Sequence, residues 1–131
     1  MVGLDTNVLV RLLISDDEAQ TRRARKFVNE AVARDEMVLV SIPVLLETEW
    51  VLRSRYEIHR SQILRLFRSA LETRELYFEN ESAVEQALVD WSRSGCGFAD
   101  CLIMAHNRRL GCHSTATFDA KAARLPGSVA I

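Results

Sequence analysis

Residues 1–13 read MVGLDTNVLVRLL, a short apolar segment that runs into a carboxylate before a second apolar segment begins. Met1–Leu4 is predicted to be a buried strand, and the apolar residues that follow recur at helical spacing, which predicts a helix over Asn7–Ile14. Asp5 and Thr6 stand where the strand ends. In α/β proteins this is where ligands bind, beyond the carboxyl ends of the strands.

The alternation of short β-like segments with longer helical ones continues along the chain. Further strands are predicted at Met37–Ser41, Glu75–Glu79, Cys112–Thr117 and Ser128–Ile131. Further helices are predicted at Pro43–Tyr56, Ser61–Thr73, Glu81–Arg93, Phe98–Leu110 and Asp119–Arg124. This order predicts crossover connections, and hence a three-layer α/β/α domain around a central, mainly parallel sheet of four to five strands.

The second helix is predicted to begin with a capping box, with Ser15 as the N-cap and Glu18 three residues later. Its core-facing residues are predicted to be Ala19, Ala24, Phe27, Val28, Ala31 and Val32. In the third helix, Leu45, Leu46, Trp50 and Val51 are predicted to lie in the core. An alternative for Leu12, Leu13 and Phe27 is a groove for a partner helix or a dimer face.

Length and charge limit the possible functions. The chain has 131 residues and a formal net charge of −1, which fits a single domain over residues 1–131 without a global positive field. Binding of nucleic acid would therefore depend on cations or on local basic clusters. Two such clusters are Arg22, Arg23, Arg25 and Lys26, and Arg53, Arg55 and Arg60, which can follow an RNA backbone or simply form solvated helix faces.

The sequence favours a cytoplasmic protein. Asp5 and Arg11 interrupt the first apolar segment, unlike a signal peptide, and no apolar segment approaches the ~18–20 residues of a membrane span. Three cysteines, Cys96, Cys101 and Cys112, are an odd number typical of free thiols in a reducing compartment. Their spacing from the nearby histidines does not match a zinc site.

Four acids occupy comparable places in the predicted fold. Asp5 follows the first strand, Glu47 lies early in the helix after the second, Asp100 lies in the first turn of the helix before the fourth, and Asp119 follows the fourth. We expect them to face one cleft, where like charges would raise each other's pKa unless a cation neutralised them. Oxygen ligands suit Mg²⁺ or Mn²⁺, and such a site suits phosphodiester hydrolysis.

Each acid also has a structural interpretation, which spacing alone leaves open. Asp5 or Thr6 can cap the first helix, and Asp119 can cap the helix that follows it. Glu47 can be a solvent-facing residue beside Glu49, and Asp100 can complement a helix dipole.

Four segments in order across the chain carry a family resemblance: VGLDTNVLVRLL, SIPVLLETEWVLRSRY, GFADCLIMAHNRRLGC and TATFD. Together they resemble the PIN-domain ribonucleases of the VapC toxin type. The resemblance implies that Asp5, Glu47, Asp100 and Asp119 are the catalytic, metal-holding acids, with support from Asn7, Thr117 and Thr6. Glu47 rather than Glu49 is the match, because the family's acid stands three residues before the tryptophan, here Trp50.

The sequence departs from the family pattern at one position. Many relatives carry a second acid three residues before the one matched by Asp100, and here that residue is Gly97. The resemblance implies a Mg²⁺- or Mn²⁺-dependent endoribonuclease that leaves 5′-phosphate and 3′-hydroxyl ends. It also implies a cognate antitoxin protein and a homodimer, while Gly97 leaves the number of metal ions open.

Two other functions remain as alternatives. One is a non-catalytic PIN-fold module that binds RNA or protein, although such a module would be expected to lose some of the four acids. The other is a different Mg²⁺-dependent phosphohydrolase of the haloacid-dehalogenase kind, which needs a second Asp two residues after the first, where this chain has Asn7. Nucleotide-binding glycine motifs and the G-x-S-x-G nucleophile elbow are absent.

Overall fold

The computed structural model describes all 131 residues, which form two compact units, Met1–Glu79 and Asn80–Ile131. The strands are β1 Val2–Gly3, β2 Val38–Val40, β3 Leu76–Phe78, β4 Thr115–Thr117 and β5 Ser128–Ala130. The helices are α1 Thr6–Ile14, α2 Glu18–Ala33, α3 Ile42–Ser54, α4 Arg60–Leu71, α5 Glu81–Arg93 and α6 Phe98–Arg109, with a 3-10 turn at Ala122–Arg124. None of the helices is both long and apolar enough to cross a membrane.

The first unit is built on a parallel three-stranded sheet in the order β1-β2-β3. Its middle strand is the most buried, since Val38 and Val40 are almost inaccessible to solvent. Because the strands are parallel, the residues that follow β1, β2 and β3 share one edge of this sheet. Asp5 lies just beyond β1, and Glu79, directly after β3, accepts a 2.8 Å hydrogen bond from the backbone N–H of Ile42 at the start of α3.

The second unit consists of two packed helices and a small parallel sheet. Ala83 and Ala87 on α5 are fully buried, and such small residues allow α6 to approach closely. The rings of Trp91 and Phe98 pack with centroids 5.2 Å apart. The sheet pairs β4 with β5, with Thr117 beside Ala130, so Asp119 lies just beyond the carboxyl end of β4.

The predicted α/β class, with parallel strands and flanking helices, is confirmed, and the predicted strands and helices are present with somewhat different ends, except that the predicted helix Asp119–Arg124 is only a 3-10 turn at Ala122–Arg124. The five strands, however, form a three-stranded and a two-stranded sheet, whereas the sequence predicts one central sheet. Hydrophobic periodicity identifies strands but says nothing about which edges pair. Here β4 and β5 hydrogen-bond to each other across a short connection.

The predicted capping box at the start of α2 is wrong. Ser15 instead ends α1 in a left-handed conformation, with φ of 36°, and its N–H donates to the carbonyl of Arg11. Asp17 is the N-cap of α2, where Oδ1 accepts a 2.9 Å hydrogen bond from the N–H of Gln20. Ser and Asp both suit helix N-termini, and the connection between the two helices determines which one takes the cap.

Several predicted core residues lie at the surface. On α2 the predicted core residues Ala24, Val28 and Ala31 are buried, together with Thr21, whereas the predicted core residues Ala19, Phe27 and Val32 are exposed.

On α3, Leu45 and Val51 are buried as predicted and Leu46 is partly buried. Trp50, by contrast, is exposed, and the Arg55 guanidinium lies over its ring, 5.8 Å from the centroid. Thr48 and Glu49 take the buried face instead, because that face of α3 meets the rest of the unit.

Candidate functional site

Asp5 caps α1 with one of its two carboxylate oxygens. Oδ1 accepts a hydrogen bond of 3.0 Å from the N–H of Val8. The structural interpretation of Asp5 as a helix cap is therefore correct. The side chain is nevertheless exposed, and Oδ2 has no hydrogen-bond partner. The cap thus fixes the carboxylate at the end of β1 while leaving one oxygen available to a ligand.

The two glutamates of α3 have opposite environments. Glu49 is 5% exposed and accepts a 2.8 Å hydrogen bond from Arg53 Nε. This hydrogen bond raises the pKa of Arg53, and the two side chains form an i,i+4 ion pair. Glu47 is exposed and has neither a hydrogen bond nor an ion pair. Of these two carboxylates, Glu47 is the one free to bind a ligand.

Asp100 lies in the first turn of α6, where it is half-buried and has no hydrogen-bond partner. Gly97 is the N-cap of this helix and provides no side-chain cap. A Cβ atom placed on Gly97 would lie 3.9 Å from Asp100 Oδ2, which is ordinary van der Waals contact. An acid at position 97 would therefore begin directly beside the Asp100 carboxylate.

Asp119 forms a tight turn beyond β4. Its Oδ1 accepts hydrogen bonds from the N–H groups of Ala122, at 3.1 Å, and Lys121, at 2.7 Å. These two backbone hydrogen bonds stabilise the ionised form and lower the pKa of Asp119. Asp119 is therefore also a cap, and as with Asp5 its Oδ2 has no partner.

The three predicted supporting residues differ in what they contact. Thr117 Oγ1 accepts a 3.0 Å hydrogen bond from the backbone N–H of Asp119, so it orders the turn through the backbone rather than through the carboxylate. Asn7 is exposed in the first turn of α1, without a hydrogen-bond partner. Thr6 is 8% exposed and begins α1. Neither Asn7 nor Thr6 hydrogen-bonds to Asp5.

A cavity of about 620 Å³ lies beside Asp5 in the first unit, and the residues that line it are not predicted as a site from the sequence. Arg11 reaches into it from α1, donating from Nε to Gln20 Oε1 at 2.6 Å and from Nη1 to Tyr56 Oη at 2.9 Å. Nη1 also lies 3.3 Å from Asp16 Oδ1. The available signal was the position of Arg11, one helical turn after Asn7 within an otherwise apolar segment.

The available donor atoms have the chemistry that a hard cation requires. Each of the four predicted acids keeps at least one carboxylate oxygen without a protein partner, and such oxygens are the donors that Mg²⁺ prefers. Asp5 and Glu47 belong to the first unit, and Asp100 and Asp119 to the second. Within neither unit do three His, Cys, Asp or Glu side chains come together closely enough to hold a metal ion.

The cysteines are free thiols, as predicted, and two of them are buried. Burial raises the pKa of Cys101 to about 11, which keeps this thiol protonated near neutral pH. Only Cys112 is exposed. The thiols of Cys96 and Cys101 are therefore part of the packing of the second unit rather than reactive groups.

The chain matches the family model of the PIN domain over residues 2–128. No curated protein and no solved structure matches the chain significantly. The match covers nearly the whole chain and includes all four acids. Together with the parallel α/β fold, it shows that the chain belongs to the PIN domain family, whose members are generally nucleases that bind RNA and commonly use divalent metal ions.

Proposed function

We propose that this protein is a Mg²⁺-dependent endoribonuclease in which Asp5, Glu47, Asp100 and Asp119 are the metal ligands and catalytic acids. The observation that carries the proposal is the PIN family match over residues 2–128, which includes all four residues. The unpartnered carboxylate oxygens on each acid support it further. Mn²⁺ is expected to substitute for Mg²⁺, because it accepts the same oxygen ligands.

The chain's own contribution is to hold negative charge in fixed positions. The caps made by Asp5 and Asp119 restrict two of the carboxylates by hydrogen bonds to backbone N–H groups. The lowered pKa of Asp119 keeps it ionised and ready to bind a cation. A bound divalent ion would neutralise the phosphodiester and activate water, giving 5′-phosphate and 3′-hydroxyl ends.

We further propose that the enzyme is the toxin of a toxin–antitoxin pair, acting in the cytoplasm as a homodimer and a single domain over residues 1–131. The resemblance of the four quoted segments to VapC-type toxins supports this role. A second cavity in the first unit, of about 390 Å³, is consistent with a protein partner because Leu12, Leu13, Val28 and Leu66 line it. An apolar helix of the antitoxin would suit such a groove.

The test is cleavage of a mixed structured RNA pool by protein purified free of any partner, in Mg²⁺ or Mn²⁺ and in EDTA. Asp5→Asn, purified identically, controls for contaminating nucleases. We expect discrete fragments that require the metal and are absent in the variant. Wild-type protein that neither cleaves RNA nor binds Mg²⁺ by calorimetry would overturn the proposal.

The same experiment separates the alternatives. RNA binding without metal binding or cleavage would identify a non-catalytic RNA-binding module. Metal-dependent hydrolysis of small phosphate esters, with RNA left intact, would identify a different phosphohydrolase. Toxicity on expression that is relieved by a co-expressed protein partner, and lost in Asp5→Asn, would support the toxin role separately from the chemistry.

A further inference from the structure

The cavity beside Asp5 has a composition that differs from an ordinary gap between helices. Its volume of about 620 Å³ falls within the ~300–1,000 Å³ typical of ligand pockets. One wall is a face of α1 that carries Asn7, Val8 and Arg11. The other wall is a face of α2, lined by Gln20, Arg23, Ala24 and Phe27. The cavity therefore begins at the Asp5 carboxylate and continues between two helices.

Two guanidinium groups line this cavity, and they differ in how many side-chain partners each one has. Arg11 is held by Gln20, Tyr56 and Asp16 and is only 19% exposed, yet its Nη2 has no partner. Arg23 is exposed and has neither an ion pair nor a side-chain hydrogen bond. Arg11 is therefore held in place by three side chains, whereas Arg23 is free to contact an anion. Phosphate oxygens are the ligands that such donors suit best.

The cavity also contains an aromatic surface and free amide groups. Phe27 lies one helical turn beyond Arg23 and is 40% exposed, although the periodicity of α2 predicts it to be core. Asn7 has no hydrogen-bond partner, and Gln20 uses only its Oε1. An aromatic ring beside one unpaired arginine, one arginine with a free Nη2 and amide groups is a combination that suits single-stranded RNA, through stacking on bases and contacts to phosphates.

We propose that the cleft between α1 and α2 binds one nucleotide of single-stranded RNA adjacent to the phosphate that is cut. Its base stacks on Phe27, and its phosphate contacts Arg23 and the free Nη2 of Arg11. This inference rests on the proposed ribonuclease function, which places the reacting phosphate near Asp5. It adds two specificity-determining residues, Phe27 for the base and Arg23 for the phosphate, because a base that is paired within a duplex is not free to stack on Phe27.

The test measures RNA binding without cleavage. Fluorescence anisotropy in EDTA gives the affinity for a fluorescein-labelled, eight-nucleotide single-stranded RNA, with a duplex of the same sequence as comparison. We expect Phe27→Ala to weaken single-strand binding by about 5- to 150-fold, the range of one lost stacking contact. Arg23→Ala should reduce the slope of log affinity against log salt by about 0.7, one phosphate contact on a single strand.

Matched controls come from the same helix. Arg22 is the adjacent exposed arginine and lies outside the cavity, so Arg22→Ala removes the same charge without removing the contact. Val32→Ala is the control for Phe27→Ala, because Val32 is an exposed apolar residue that also lies outside the cavity. Phe27→Trp retains a stacking surface and should bind with wild-type affinity or better, with quenching of its fluorescence by the RNA. Because Phe27 is partly exposed, these variants are expected to fold, which thermal melting verifies.

The outcomes distinguish this inference from the proposed function. Weaker binding in Phe27→Ala and Arg23→Ala, with both controls unchanged, supports the pocket even when no cleavage is seen in Mg²⁺. Equal affinities for all variants, or no RNA binding by the wild type, overturn the pocket while leaving metal-dependent cleavage to be judged by its own assay. Unchanged RNA affinity together with lost antitoxin binding would assign the cleft to a protein partner and also overturn it.

Discussion

The Asp5 carboxylate accepts the N–H of Val8 at 3.0 Å through Oδ1 alone, so its role as a helix cap is separable from a role in binding metal. Asn is as good an N-cap as Asp, whereas Ala is much poorer. We expect Asp5→Asn to unfold at nearly the wild-type temperature and Asp5→Ala to lose about 1 kcal/mol of unfolding free energy. Both should lose Mg²⁺ binding and RNA cleavage.

Thermal or urea unfolding gives the stabilities, and calorimetry with Mg²⁺ gives the affinities. Cleavage by Asp5→Asn at the wild-type rate would show that Asp5 is a structural cap only.

The two glutamates of α3 make a matched pair for mutation. Glu47 is exposed and unpartnered, so Glu47→Gln should leave stability unchanged while abolishing metal-dependent cleavage. Glu49 is buried and paired with Arg53, so Glu49→Gln should destabilise the fold and spare cleavage at temperatures where it is folded. The loss should be about 1 kcal/mol, because the Arg53 head is half exposed and remains solvated. Melting temperatures and cleavage rates of both variants test this prediction. Loss of cleavage in Glu49→Gln but not in Glu47→Gln would show that Glu49, rather than Glu47, is the metal ligand.

Gly97 is a position where an added carboxylate is expected to strengthen Mg²⁺ binding. Its φ of −72° suits any residue, and a Cβ there would contact Asp100 Oδ2 without a clash. We expect Gly97→Asp to bind Mg²⁺ more tightly than the wild type, so that Mg²⁺ raises its melting temperature by a larger increment. In EDTA the new N-cap and the repulsion from Asp100 should largely cancel.

Gly95→Asp is the control, since it adds the same charge at an exposed glycine with open space around it. An equal Mg²⁺-dependent shift in both variants would mean that only net charge matters.

The hydrogen bonds to Asp119 predict an acid dependence of stability. Its pKa is lowered in the folded state, so its contribution is present above the ordinary carboxyl pKa and is lost as the pH falls through the lower folded value. The difference in melting temperature between wild type and Asp119→Ala should therefore be largest near about pH 6 and shrink towards about pH 2. Melting curves across this range provide the check. A difference that is independent of pH would show that the carboxylate charge contributes nothing to the turn.

The order of strands and helices was readable from the sequence because hydrophobic periodicity and Gly or Pro breaks are local signals. They identified Asp5 and Asp119 at the carboxyl ends of β1 and β4, and the family resemblance selected Glu47 over Glu49. The exposed, unpartnered state of Glu47 is consistent with that choice. The sequence allowed Asp5 and Asp119 to be helix or turn caps. It did not predict that Oδ1 of each residue makes the cap and leaves Oδ2 without a partner.

The sequence by itself determined the α/β class and the succession of elements, since each depends on residues close together in the chain, and it determined the PIN family through the linear order of motifs along residues 2–128. Tertiary structure alone decided that Phe27 lines an open cavity, that Ser15 ends a helix rather than starting one, and that five strands pair as two sheets. The reason is that burial and strand pairing depend on segments far apart in sequence. A periodic pattern shows that a helix has an apolar face, but not how much of that face its neighbours cover.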